Sequence, residues 1–254
     1  AEHNGYFRDQ GIDIQITEFS SGRVAMQSML SGGNLDMVTS AQTPVVLNSF
    51  ARQDFQVIAG IVTSFDDVKI IARRDRGISG GGDLRGKTIG VTKGSTGHYF
   101  LDLFLAQHNL GLGDVNIIDI AASASPQAIV NGEVDAISNW EPNVYNAERF
   151  LGSNSVLLES EGVFREDFYF VSLKDWLQNN PQLTKRFLLA IDRAMTFIKK
   201  NPVESQEIVA ERLNLDINFV KSVWNNYSFE LFLDQAIPLA FEQQARWMSE
   251  NRIV

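Results

Sequence analysis

Apolar and polar positions along this chain switch repeatedly between a period of two and a period near 3.6. Isoleucines alternate with polar residues in Ile12-Asp13-Ile14-Gln15-Ile16, which predicts a strand over 12–17. Short apolar runs predict further strands at 35–39, 55–63, 68–73, 88–91, 115–120 and 134–138. Helical patterns fall at 1–10, ended by Gly11, and at 22–31, 44–51, 95–108, 125–131 and 142–150. Strands alternating with helices predict α/β architecture, with parallel sheets covered by helices on their faces. After short strands near 156–158 and 169–172, everything reads helical. Pro181 to Lys200 carries Leu183, Phe187, Leu188, Ile191, Ala194, Met195 and Ile198 on one face; helices at 202–213, 216–226 and 234–250 follow, opened by Pro202 and Asp216 in the first two cases.

Two of these strand regions repeat one another. Gly33-Asn34-Leu35-Asp36-Met37-Val38-Thr39 runs on to Gln42-Thr43-Pro44, and 99 residues later Gly132-Glu133-Val134-Asp135-Ala136-Ile137-Ser138 runs on to Trp140-Glu141-Pro142. Each copy holds a turn glycine, a loop aspartate, an apolar run, a hydroxyl residue and a proline able to open a helix. The spacing is too long for a solenoid and suits one small α/β lobe. Two similar lobes are expected, with a cleft between them. The first lobe is expected to be discontinuous, 1–75 plus 166–254, and the second to span 76–165. The chain would cross out through the glycine-rich Arg73–Gly82 and back near 160–168, the helical tail packing on the first lobe. An α/β lobe normally has a strand before its first helix, so the first lobe is expected to lack its first strand.

Bulk properties narrow the function classes. Asp+Glu 31 against Lys+Arg 22 gives a net charge of −9, which argues against a general nucleic-acid binder. The absence of cysteine removes disulfides, zinc–thiolate sites and thiol catalysis, and fits an exported protein without requiring one. No apolar run approaches the roughly 18–20 residues of a membrane span. The chain opens on Ala1 rather than Met and reads as processed or trimmed.

The chemistry concentrates where strands end and helices begin: Ser20-Ser21-Gly22, Thr39 to Pro44, Thr92 to Gly97, Ala122 to Pro126 and Ser138 to Pro142. Ligands of open parallel sheets bind at such strand ends, and the free N–H groups of a helix start favour anions. Ser and Thr are also the ordinary capping residues, so any one turn is equally served by capping alone. Candidate ligand-binding residues are Ser20, Ser21, Gln42, Thr43, Gly94, Ser95, Thr96, His98, Trp140 and Glu141. His98 either hydrogen-bonds a ligand from the first turn of its helix or faces solvent. Trp140 either walls a ligand or packs between lobes. Glu141 either meets a cationic group or simply rests on a helix dipole. The Gly94–Tyr99 turn lacks the Walker spacing, and His3, His98 and His108 lack metal-ligand spacing, so neither nucleotide hydrolysis, a metal, a cofactor nor a catalytic residue is expected.

Glu2-His3-Asn4-Gly5-Tyr6-Phe7, Gly11 to Ile14, Phe19 to Gly22, Gly33 to Pro44, Asp83 to Val91, Gly94-Ser95 with His98-Tyr99, and Gly132 to Pro142 together resemble the extracytoplasmic solute-binding proteins of ABC importers. The resemblance is to the NMT1-like group for sulfonates, taurine, nitrate and thiamine precursors. It implies a two-lobed periplasmic-binding-protein fold, each lobe a mostly parallel sheet flanked by helices, with a helical C-terminal extension. It further implies a monomer, periplasmic or lipid-anchored, that closes by hinge bending on a small solute and delivers it to a membrane permease. The site's features favour a sulfonate-like anion or zwitterion; an amino-pyrimidine precursor is the alternative. An enzyme on this fold, as in pyrimidine-precursor synthases, is disfavoured because those resemble this chain in layout but depend on a cysteine-rich motif.

Overall fold

Strand and helix patterns are realised over most of the chain, which the structure, a computed structural model, describes for residues 1–160 and 162–254. The expected return near 160–168 thus includes one position, Glu161, outside the described residues. In chain order the elements are α1 (Tyr6–Asp9), α2 (Gly22–Leu30), β1 (Met37–Ala41), α3 (Gln42–Ser49), β2 (Phe55–Ser64), β3 (Val68–Arg73), β4 (Thr88–Val91), α4 (Thr96–Gln107) and β5 (Asn116–Asp119). They continue with α5 (Ser125–Asn131), β6 (Ala136–Trp140), α6 (Asn143–Leu151), β7 (Ser155–Leu157), β8 (Glu166–Leu173), α7 (Lys174–Asn179), α8 (Pro181–Lys200), α9 (Pro202–Leu213), α10 (Ile217–Val223), β9 (Tyr227–Phe232) and α11 (Ala236–Glu250). The chain divides into two compact units, Ala1–Thr63 with Asp167–Ala240 and Ser64–Glu166 with Phe241–Val254.

Unit 1 is built on a four-stranded sheet of order β1-β8-β2-β9, with β1 antiparallel to β8 from Met37↔Ser172 to Ala41↔Phe168. Its aromatic residues lock helices to that sheet. Phe7 of α1 stacks on Phe187 of α8 at 5.4 Å, and Phe187 meets Phe170 of β8 edge-on at 4.9 Å. Two glycines permit close approaches. A Cβ on Gly22 would fall 2.8 Å from the Ser40 Cα, so its absence lets α2 start directly against the end of β1. A Cβ on Gly60 would strike the Phe232 ring at 2.2 Å, and that ring fills the gap a mid-strand glycine leaves on β2.

Four expectations change here. The helix predicted over 1–10 shrinks to α1 because Gly5 adopts φ +68, a left-handed conformation that an α-helix does not continue through. The strand predicted over 12–17 forms no ladder; Ile12 and Ile14 alternate inward as read, but they pack on the Phe7–Ile191 cluster. The tail is not all helical, since Tyr227-Ser228-Phe229-Glu230-Leu231-Phe232 alternates with period two and becomes β9, beside β2. Finally, the strand at 68–73 leaves the first unit.

That strand, β3, belongs to unit 2, whose sheet has the order β5-β4-β6-β3-β7. It pairs antiparallel with β6 from Val68↔Trp140 to Ala72↔Ala136 and antiparallel with β7, while β4 runs parallel to β5 and β6. The sheet is therefore mixed, and the unit boundary lies at Ser64 rather than near residue 75, because β3's ladder bonds go to the second sheet. Val144 and Ala147 of α6 and Ala128 and Ile129 of α5 bury against Ile71 and Ile137 in one core. Most of α11 also falls in unit 2, against the expectation that the whole tail stays with the first lobe.

Candidate functional site

Two helix starts, one in each unit, carry buried hydroxyl groups with no partner. In unit 2, β4 ends at Val91 and Gly94 turns the chain at φ +70, placing Ser95 as the cap of α4. Ser95 has the extended backbone of a cap (φ −98, ψ 173) yet makes no capping bond with its side chain. Its Oγ is buried without a hydrogen-bond partner. Its carbonyl does accept, from His98 N–H at 3.1 Å and Tyr99 N–H at 3.2 Å. The N–H groups of Thr96 and Gly97 lie ahead of the first intrahelical bonds, as every helix start requires. Gly97 brings this start onto the end of β6: a Cβ there would lie 2.8 Å from the Ser138 carbonyl, and Ser138 Oγ donates to the Gly97 carbonyl at 2.8 Å.

In unit 1 the equivalent position is the start of α3, immediately after β1. Thr43 is fully buried and its Oγ1 has no partner. Gln42 beside it is equally buried, its Oε1 accepting from Tyr169 O–H at 3.4 Å. Tyr169 O–H also approaches Asp167 Oδ2 at 3.3 Å, and Thr63 Oγ1 donates to Asp167 Oδ1 at 2.8 Å. Gln42, Tyr169, Asp167 and Thr63 thus form a buried polar network around α3's start that the sequence reading did not find. Its members lie far apart in sequence and are assembled by β8's place between β1 and β2.

Of the remaining candidates, Ser21, His98 and Glu141 are engaged within the fold. Ser21 caps α2, its Oγ accepting from Val24 N–H at 3.3 Å, while Ser20 is exposed just before it. Neither open reading of His98 holds in full. It is 4% exposed, so it does not face solvent, and its Nδ1 accepts the Gly94 N–H at 3.3 Å. Burial first, and the Lys93 charge second, lower its pKa to about 4, so near neutrality it is an uncharged clamp on the turn. An Nδ1 that accepts leaves the proton on Nε2. Trp140 ends β6 half-buried, its backbone N–H donating to Asn139 Oδ1 at 2.8 Å.

Glu141 is consumed by the fold. Its Oε1 meets Lys69 Nζ at 3.0 Å and its Oε2 accepts the Tyr145 N–H at 3.0 Å. The Lys69 and Glu141 side chains are only 9% and 6% exposed, and Asp66 adds a second carboxylate to Lys69 at 3.2 Å. Burial pushes the Glu141 carboxyl up, opposed by the Lys69 charge. Burial also works against Lys69, but its two carboxylate partners outweigh that and hold its pKa above the usual value. The Ala122–Pro126 turn is likewise stitched shut, with Asn139 Nδ2 donating to Ala122 O at 2.9 Å and to Ser125 Oγ at 2.6 Å.

Among the described residues no group of His, Asp and Glu is arranged to hold a metal, and no helix is long and apolar enough to cross a membrane. The architecture is that of periplasmic binding proteins. The crystal structure of the periplasmic aliphatic sulphonate binding protein from Escherichia coli matches with a TM-score of 0.84 at 19% identity, over 100% of this chain and 87% of that one. The desulfurization enzyme DSZB shares the fold more loosely, with a TM-score of 0.71 at 15% identity over 99% of this chain and 88% of that one. In sequence, a protein of Bacillus subtilis (strain 168) named for aliphatic sulfonate binding is 31% identical over 235 residues, covering 89% of this chain and 69% of that protein. The family model described as NMT1/THI5 like matches residues 1–205, and the chain belongs to that family.

Proposed function

We propose that this protein is the extracytoplasmic solute-binding component of an ABC importer and that its solute is a small organic acid of the sulfonate class. The observation that carries the reading is the pair of unpartnered buried hydroxyls, Thr43 Oγ1 and Ser95 Oγ, each at the start of a helix. A buried donor without an acceptor is costly, and an anion at a helix start would accept from the hydroxyl and from the free N–H groups beside it. The Bacillus subtilis relative named for aliphatic sulfonate binding supports the choice of head group. We read the chain as a binding protein rather than an enzyme: it has no cysteine, and His98 and Glu141 are engaged in holding the turn and the Lys69 pair. With Glu141 so engaged, its carboxylate is not free to pair with the amine of an amino-pyrimidine.

The test is isothermal titration calorimetry with ethanesulfonate, nitrate and an amino-pyrimidine. Ethanesulfonate should bind, and the Ser95→Ala/Thr96→Ala double variant should bind it more weakly by about 1–3 kcal/mol, the cost of unmaking hydrogen bonds to a charged group. Tight binding of the amino-pyrimidine with no response to sulfonates would overturn the reading.

A further inference from the structure

One more buried polar group has no partner near the α4 start. Gln244, on α11, is 1% exposed, and neither its Nε2 nor its Oε1 has a hydrogen-bond partner. Its position is approached from the contact that α11 makes with α4 through Trp247, inside unit 2. The Trp247 ring meets His98 at 5.2 Å and Tyr99 at 5.0 Å, on the first turn of α4. One turn further along both helices, Asp102 feels the charge of Glu250, and the Trp247 indole N–H faces Asp102 without closing a bond of normal geometry. The two helices therefore advance together from 98/99 to 102 and from 247 to 250. One turn back from Trp247 is Gln244, and one turn back from His98 and Tyr99 is Ser95. Continued one turn back, this register carries the unpartnered amide on α11 and the unpartnered hydroxyl at the cap of α4 toward the same end of the contact.

A primary amide presents two donors on nitrogen and an acceptor on oxygen. Burying one with both ends unmet is expensive, and it is rare unless something absent from the bare protein completes it. A simple alkanesulfonate head offers only acceptors and would satisfy Nε2 alone. A sulfonate bearing a hydroxyl or ammonium group on its carbon chain would satisfy Nε2 and Oε1 together. With Glu141 held by Lys69, Gln244 Oε1 is an unpartnered acceptor for such a donor.

We propose that Gln244 is a specificity-determining ligand contact at the α4 start, and that it selects sulfonates carrying a hydrogen-bond donor on the chain. This rests on the sulfonate reading of the site. It also assigns a ligand role to α11, which lies beyond the residues 1–205 that the family model matches.

The experiment is calorimetry on the full chain with ethanesulfonate, 2-hydroxyethanesulfonate and 2-aminoethanesulfonate as probes, for the wild type and for Gln244→Met, which keeps the side chain's length without its polar ends. The wild type should bind at least one donor-bearing probe about tenfold or more tighter than ethanesulfonate, a gap worth about 1.4 kcal/mol. Gln244→Met should erase that gap while still binding ethanesulfonate, and its melting temperature without ligand should hold or rise. If all three probes bind Gln244→Met with wild-type affinities, the Gln244 proposal fails and the sulfonate reading stands. If no sulfonate binds the wild type, both fail. Should Gln244→Met not fold, Gln244→Glu replaces it: a carboxylate at this level should abolish binding of every sulfonate while circular dichroism stays native, and undiminished binding would overturn the proposal.

Discussion

Segment Gly33–Pro44 in unit 1 and segment Gly132–Pro142 in unit 2 share their residue pattern and their local form, a turn glycine, a strand and a helix start, yet they spend their polar groups differently. Ser40 Oγ reaches the neighbouring Ala41 carbonyl, whereas its counterpart Asn139 donates through Nδ2 to the Ala122 carbonyl and Ser125 Oγ and ties β6 to the start of α5. Asp36 contributes its backbone carbonyl to Ser172 Oγ at 2.6 Å. Asp135 instead uses its carboxylate, accepting from Thr88 N–H at 2.9 Å and pairing with Arg76 at 3.5 Å. At the helix start Gln42 and its counterpart Glu141 are both engaged, but the next residue is Thr43 with an unmet hydroxyl in the first copy and Pro142 in the second. The same pattern thus yields an open helix start in the first copy and a stitched one in the second. In unit 2 the open start is displaced to α4, where Ser95 is the residue with the unmet hydroxyl.

The contrast can be broken most directly at Glu141. Glu141→Gln should destabilise the protein by about 3 kcal/mol, because it strips a buried lysine of its main partner, and it should leave sulfonate affinity per folded molecule unchanged. Denaturant unfolding paired with calorimetry checks this. A loss of affinity with stability intact would return Glu141 to the ligand and dissolve the difference between the copies.

Titration of the α4 turn sharpens it next. The folded pKa of His98 lies below its ordinary 6.5, at about 4, so its contribution is present above pH 6.5 and is lost as pH falls toward 4. Unfolding free energy should drop by roughly 1–3 kcal/mol across that window, and His98→Asn should flatten this part of the profile. A stability that rises on acidification through the same range, in the wild type but not in the variant, would mean that His98 charges in the folded state and faces an anion-ready site directly.

The smallest effects separate the two kinds of hydroxyl. Ser138→Ala should cost about 1 kcal/mol by removing a made bond, while Thr43→Val should be neutral or slightly stabilising without ligand. With an added sulfonate the order should reverse, Thr43→Val losing affinity and Ser138→Ala keeping it. Equal behaviour of the two variants in both conditions would show that the copies are used alike.

Much of this fold was legible from periodicity. α5 and α8 to α9 sit where the apolar faces put them, since burial of a helical stripe is a local property of spacing. β9 was hidden because its six alternating residues lie between strong helical patterns, and the strand is completed by the edge that β2 offers it. The segment 12–17 is the converse case, with strand-like alternation but no ladder partner. Of the candidate residues, Thr43 and Ser95 were readable as helix-start hydroxyls, but whether each was spent on capping could not be read, because that depends on side-chain geometry of a few tenths of an ångström.

By itself the sequence determined the alternation of strands and helices, the duplication, the absence of thiol chemistry and the set of helix starts, all of which follow from local spacing and composition. Only the tertiary structure decided that β3 pairs with β6, that Lys69 thereby claims Glu141, and that α11 brings Trp247 against His98 and Tyr99. Those outcomes join residues tens to more than a hundred positions apart, and a hydrogen bond or ion pair is fixed by distance in space, on which spacing along the chain places almost no constraint.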